Sequence, residues 1–256
     1  MSHTNETDVS GVAPHPHLKK YYGGASQRRS FVAGMFDKTA RSYDWIDRVM
    51  SVGSGVRYRR DALRRGGLAP GKRLLDVAIG TGLVARAAND ILGDSGHITG
   101  VDLSMGMLAE ARKALPIGLV QGIAERLQFA DACMDFITMG YALRHVTDLE
   151  STFREYLRVL KPGGTLLILE LTRPASNSVA YQFTRFYMHT VVPLIARLGP
   201  GGAESKKLME YFWDTIDHCV PPATILEALS GSGFASARRD VSNHVFSEYV
   251  AIKSPA

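Results

Sequence analysis

Hydrophobic and polar positions alternate through the middle of the chain in two rhythms. Short apolar runs near 73–78, 97–101, 117–121, 133–139 and 164–170 read as buried strands. The segments between them, near 81–93, 104–114 and 148–160, carry the 3.6-residue period of amphipathic helices. Ser104 is placed to cap the second of these helices, and Pro162-Gly163-Gly164 stops the third. Alternation of this kind predicts an α/β, Rossmann-like domain, with a mostly parallel sheet and helices on both faces. A ligand of such a sheet binds at the carboxyl ends of its strands.

The flanks break the rhythm. Residues 1–30 are polar and rich in His, Pro, Gly and Ser, which predicts a loosely ordered segment. From Phe31 to Leu68 the pattern is helical, with Phe36, Tyr43, Ile46, Val49 and Met50 on the apolar side and Gly53 and Gly55 interrupting it. Past Glu170 comes an apolar, aromatic stretch from Tyr181 to Leu198, which Pro193 bends or interrupts. Helices are expected near 206–218 and, after Pro221-Pro222, near 223–231. Two β-rich runs, 234–241 and 244–252 around Asn243, read as a closing antiparallel hairpin and bring the sheet to seven strands. The expected organisation is one domain over 31–256, with 31–68 as a helical cap and 172–206 as an inserted lid.

Composition narrows the class. The chain has 256 residues, 45% of them hydrophobic, enough for a full core. No run approaches the roughly 18–20 apolar residues of a membrane span, and the N-terminus has no secretory apolar region. Cys133 and Cys219 are isolated, without metal-ligand spacing, so the expectation is free thiols in the cytoplasm and no metal. The net charge of +5 draws on Arg57-Tyr58-Arg59-Arg60 and Arg64-Arg65, a solvated helix face or a patch for an anionic membrane surface. The absence of a recognised module argues against nucleic acid.

The chemistry concentrates at Leu74-Leu75-Asp76-Val77-Ala78-Ile79-Gly80-Thr81-Gly82, followed twenty residues later by Asp102. A buried strand, a glycine turn and an acid ending the next strand form a nucleoside site: the glycines admit the ligand and the acid accepts from a ribose. Gly80-x-Gly82-x-x-Ala85 also satisfies the dinucleotide fingerprint, so NAD stays open. Asp76 favours a different cofactor, since its charge suits the cationic amino end of S-adenosylmethionine (SAM) and opposes a pyrophosphate.

Four segments extend this: Met35-Phe36-Asp37-Lys38-Thr39-Ala40-Arg41-Ser42-Tyr43-Asp44, Val49-Met50-Ser51, Gly140-Tyr141-Ala142-Leu143-Arg144-His145-Val146-Thr147-Asp148, and Arg158-Val159-Leu160-Lys161-Pro162-Gly163-Gly164 leading to Leu169-Glu170-Leu171-Thr172-Arg173-Pro174. In order and in register, they resemble the ubiquinone/menaquinone biosynthesis C-methyltransferase family, over residues 31–252. The resemblance implies a class I SAM-dependent methyltransferase acting on a small aromatic or quinone-type acceptor, with C-methylation of a prenylated quinol as the leading case. It implies cofactor contacts from Asp76, Ala78, Gly80, Thr81, Gly82, Asp102, Leu103, Ile123, Ala124, Met139 and Gly140. Tyr43 and Arg144 would orient the acceptor, and His145 is chemically the better base. A structural salt bridge for Arg144 and a surface or capping position for His145 are the structural alternatives.

The chain departs from the family pattern at several points. Tyr43-Asp44-Trp45-Ile46-Asp47 stands where the family has Tyr-Asp-x-Met-Asn, and Gly55 and Tyr58 fall near the family's His and Trp. His145 replaces an Asn, and Ile123 replaces an Asn whose side chain could take the adenine amino group. These leave O- or N-methylation of a secondary metabolite, or a SAM-binding regulatory protein without catalysis, as rival readings. The segment 178–199 is expected to cap the cleft, with Phe183, Phe186, Tyr187, Val191 and Leu194 lining the acceptor pocket, or to lie on a membrane carrying the acceptor. Peripheral membrane contact at the inner face and a homodimer stay open as partners.

Overall fold

Seven strands form one sheet in the order β3-β2-β1-β4-β5-β7-β6, in which β1 to β5 run parallel and β7 is antiparallel to both neighbours. The structure is a computed structural model, and it describes residues 11–255 apart from 52, 175, 243 and 244. The strands are β1 Leu74–Val77, β2 Ile98–Asp102, β3 Gly118–Gln121, β4 Met134–Gly140, β5 Leu160–Leu171, β6 Ser236–Ser242 and β7 Phe246–Ile252. The helices are α1 Ala25–Met50, α2 Gly55–Arg65, α3 Leu83–Leu92, α4 Met105–Ala114, α5 Leu149–Val159, α6 Val179–Phe186, α7 Val192–Leu198, α8 Gly202–Asp217 and α9 Pro222–Gly231. Asn243, expected at the closing turn, lies outside the described residues.

The central strands are mostly apolar because helices cover both faces, with Asp76, Thr138 and Glu170 as buried polar exceptions. One core packs α5 and α9 on the sheet through Phe153, Tyr156, Ile225 and Leu229. The other packs α2 and α3 through Leu63, Val84 and Ala88. Ser104 caps α4 by accepting from the Met107 N–H, and Asp148 caps α5 by accepting from Ser151. Between β1 and β4 the strand order reverses, which opens a crevice at the carboxyl ends.

A third core lies outside the sheet. Ile46 of α1, Val192 and Ala196 of α7, and Leu208, Met209, Phe212 and Trp213 of α8 pack together above those strand ends. The expected cap and lid are therefore one helical layer. Its lid begins differently from the expectation: α6 runs into a π turn, Tyr187–Val191, before α7. Pro193 follows that turn and supplies no N–H to the helix, so the wider turn absorbs the missing bond. Helix α8 starts at Gly202, ahead of the expected 206.

The loosely ordered segment expected to about residue 30 is also corrected where it is described. Residues 11–24 pack along the domain, with His15 and Tyr22 buried. The Val12 and Pro14 carbonyls accept from the Leu149 and Val220 amides. Polar composition concealed a strap whose backbone bonds to the body.

Candidate active site

The β1–α3 turn is shaped by left-handed residues. Gly80 and Gly82 have φ of 58° and 86°, a region where a side chain is disfavoured. Ala78 (φ 55°) and Tyr141 (φ 59°), just past the ends of β1 and β4, take the same conformation without being glycine. Strain of order 1–3 kcal/mol at each is typical of positions held for function. Both line a cleft of about 120 Å³ at the reversal point of the sheet.

That cleft gathers Ala78, Gly80, Asp102, Leu103, Ile123, Ala124, Met139 and Gly140, together with Tyr43 and His145. Asp102 accepts from the Gly80 and Ser104 amides, at 2.8 Å each. Burial nevertheless pushes its carboxyl up to about 6. Asp76 lies buried outside the lining, with Oδ1 accepting from Thr138 at 2.7 Å and Oδ2 without a partner. Burial raises it to about 7. An orphaned carboxylate oxygen in a buried setting suits a cationic amine. A second acid beside a glycine turn suits a ribose. The donor set fits SAM.

Helix α1 closes this cleft through two aspartates. Asp37 accepts from Ser104 Oγ at 2.6 Å and the Gly106 amide at 2.8 Å, at the start of α4. Asp44 accepts from Thr81 Oγ1 at 2.5 Å and Arg86 Nη2 at 2.6 Å. The Thr81 hydroxyl is therefore committed to the cap, which leaves its backbone N–H for a ligand. Gly82 serves as the N-cap of α3 and, like Thr81, is outside the lining. Sequence reasoning missed Asp44, although it sits inside the motif Tyr43-Asp44.

A second cavity, of about 330 Å³, adjoins the cleft. Its lining is mostly apolar, with Ile46, Met50, Tyr58, Leu171, Phe183, Tyr187, Met188, Phe212 and Trp213, and it includes Asp47 and Arg59. Tyr43 and Tyr141 line both spaces and form their boundary. Tyr141 was also missed, although it follows Gly140 directly. Burial raises both phenols above their ordinary range, so both are neutral hydrogen-bond donors.

Arg144 requires a correction. It lines neither cavity and is fully buried. Its guanidinium donates to Glu170 Oε1 at 2.9 Å, Thr215 Oγ1 at 2.6 Å, and the Tyr141 and Phe212 carbonyls at 3.3 and 3.4 Å. It thus holds Tyr141 and α8 and faces neither cavity. The lid residues divide as well: Tyr187 and Phe183 line the cavity, Phe183 at its rim and 70% exposed, whereas Phe186 (60% exposed) and Leu194 (56%) face solvent and Val191 is not in the lining.

His145 does reach the cleft. Its ring stacks on Tyr211 at 5.5 Å, with Nδ1 3.4 Å from that hydroxyl, and Nε2 has no partner. Burial first, then Arg144, Arg28 and His15, push its pKa well below the usual histidine value. At neutral pH it is an uncharged imidazole, and the same surroundings make it a weaker base than a solvated histidine.

The strand order, the antiparallel β7 and the glycine turn facing two acids define the class I SAM-dependent methyltransferase fold. The sequence profile of the ubiE/COQ5 methyltransferase family matches residues 24–253. A ubiquinone/menaquinone biosynthesis C-methyltransferase of Shewanella sediminis (strain HAW-EB3) is 35% identical over 217 residues, 82% of this chain and 85% of that protein. The SAM complex of phosphoethanolamine N-methyltransferase 2 from Haemonchus contortus superposes with a TM-score of 0.60 at 18% identity, covering 85% of this chain and 57% of that one. The (4+2)-cyclase SpnF superposes with a TM-score of 0.62 at 18% identity, covering 95% and 99%. The chain belongs to the ubiE/COQ5 methyltransferase family and is a SAM-dependent methyltransferase.

Proposed function

We propose that this methyltransferase C-methylates a quinol-type aromatic acceptor that carries an apolar tail. The observation that carries the reading is the shared boundary: Tyr43 and Tyr141 line both the polar, acid-bearing cleft and the larger apolar cavity. Donor and acceptor would meet there. The family relatives are ubiquinone/menaquinone biosynthesis enzymes, which supports the same acceptor class.

SAM bound in the cleft supplies an electrophilic methyl group on a cationic sulfur. The protein's own residues do the rest. Asp76 Oδ2 takes the amino group and Asp102 the ribose hydroxyls, while Leu103 and Ile123 flank the adenine and the Ala124 N–H reaches it. Ile123 has no polar side chain, so discrimination of the base falls to backbone groups. Tyr43 and Tyr141 orient the acceptor ring, which positions its carbon for in-line attack. His145 accepts the phenolic proton, directly or through a water, and makes the ring electron-rich.

The outer surface of the lid supports contact with a membrane that holds the acceptor. Phe186, Leu194 and Leu198 are exposed beside Arg185 and Arg197, and Phe183 connects that surface to the cavity. An amphipathic surface with cationic residues suits an anionic interface. Among the described residues no helix is long and apolar enough to cross a membrane. A second copy of the chain could cover the same surface; vesicle co-sedimentation and size-exclusion chromatography separate the two.

The direct test incubates the protein with methyl-labelled SAM and a lipid extract from cells lacking their quinone C-methyltransferase. Label in a demethylated quinol is expected. Label confined to water-soluble O- or N-methyl products would overturn the acceptor assignment.

A further inference from the structure

The acceptor cavity holds a buried cation that the roles above do not use. Arg59 is 3% exposed and lines the cavity. Both of its terminal nitrogens donate to the Asp47 carboxylate, and its Nε has no partner. Its guanidinium carbon lies 5.4 Å from the centre of the Tyr141 ring, at the boundary between the two cavities. The basic run that contains Arg59 was expected to be a solvated face or a patch for an anionic membrane surface; this member of it is buried.

Gly55 makes this arrangement possible. A Cβ at that position would lie 2.6 Å from Arg59 Nη1, too close for any real side chain. Asp47 then supplies the counter-charge that a buried guanidinium needs. These are two of the departures from the family signature: glycine near the place of its His, and a carboxylate in place of its Asn. One gives the guanidinium space and the other gives it a partner.

We infer that Arg59, held by Asp47 in the space left by Gly55, binds a ring oxygen of the acceptor and favours its anionic, phenolate form. The inference rests on the reading of this cavity as the acceptor site. The chemistry follows from the donor count. A guanidinium has five N–H groups, and the bidentate pair with Asp47 uses two. The Nε–H and one on each terminal nitrogen remain. Asp47 keeps Arg59 charged despite burial, so an oxygen beside it meets a permanent cation. Tyr43 and Tyr141, neutral in the same wall, add two more donors, and the Asp47 carboxylate there is engaged by the guanidinium. Such a site prefers an ionisable ring hydroxyl over the corresponding ether, a preference that a purely structural link between α1 and α2 would not create.

The test compares 2-prenyl-1,4-naphthalenediol with its 1,4-dimethoxy ether, by anaerobic binding titrations in the presence of S-adenosylhomocysteine. SAM affinity and methyl transfer from labelled SAM to the diol are measured on the same preparations. Wild type is expected to bind the diol roughly tenfold to a hundredfold more tightly than the ether, the range for one hydrogen bond to a charged group. In the charge-balanced D47N/R59M variant the ratio should fall to near one, with SAM affinity within about twofold of wild type. Arg59→Lys keeps the cation and the ion pair, so it guards against a folding defect and should give an intermediate ratio. A wild-type ratio retained in D47N/R59M, or in D47N/R59Q if the first variant does not fold, overturns the role of Arg59. Methyl transfer by wild type then leaves the acceptor reading intact. Failure of wild type both to bind and to methylate the diol overturns both.

Discussion

Arg144→Met separates a structural from a catalytic role at the position where sequence and structure diverge most. Arg144 and Glu170 are 0% and 1% exposed, and the guanidinium reaches four acceptors. Removing one partner of such a pair leaves a buried, uncompensated charge and costs about 3–5 kcal/mol. For a domain of this size each kcal/mol lowers Tm by about 2–4 °C, so the expected loss is roughly 6–20 °C. The variant R144M/E170Q removes both charges and should recover most of that loss. Thermal unfolding by circular dichroism gives the stability, and calorimetry well below Tm gives SAM affinity. With the charge balanced, methyl transfer at low temperature should return to within about tenfold of wild type, since neither group touches an acceptor. The reasoning would be refuted by an R144M protein with wild-type Tm and abolished turnover, because Arg144 would then act on the reacting molecules.

Further outcomes follow from Asp76, Asp102 and His145. Asp76 is pushed up to about 7 by burial, and a cationic amine favours its ionised form, so SAM affinity should climb with pH through about 7 and then level. Asp76→Asn should flatten that rise in calorimetry. The stability of the ligand-free protein has the opposite sign: the folded state holds this proton more tightly than the unfolded chain, at about 3.9. Stability is therefore lost as pH rises from about 4 through about 7, and urea unfolding of D76N should show a shallower slope. Asp102→Asn should weaken SAM binding by about tenfold to a hundredfold, and unchanged affinity would remove the ribose assignment. His145→Ala should lower turnover by about a hundredfold or more while SAM affinity stays within a few-fold; equal losses in both would make His145 a packing residue.

The parts of this protein legible in the sequence are those governed by local rules. The apolar period marked every strand to within a few residues, and Ser104 marked a helix start because capping chemistry is read from neighbours; Pro162-Gly163-Gly164 follows the end of α5 at Val159 but lies inside β5. The glycine turn and Asp102 were legible for the same reason: both sit on one βαβ unit. Arg144 was misread because its role depends on Glu170 and Thr215, which lie 26 and 71 residues away. Arg59 looked solvated because helix α2 carries four other arginines, Arg57, Arg60, Arg64 and Arg65, and only the fold brings Asp47 and the gap at Gly55 beside it. Tyr141 left no trace, since its importance comes from a left-handed backbone and from two cavities that meet only in three dimensions. Local pattern marked the glycine turn and its two acids; the larger apolar cavity is built from contacts between distant segments.

The claim at the centre of this account is that the two cavities joined at Tyr43 and Tyr141 bring SAM to a ring carbon of a quinol. The most direct measurement is the position of the new methyl group after turnover of a prenylated demethylquinol with carbon-13 methyl-labelled SAM, read by NMR of the purified product. The account predicts an aryl C-methyl signal and no methoxy signal. A methoxy signal, or tight SAM binding with no labelled quinol, would contradict it.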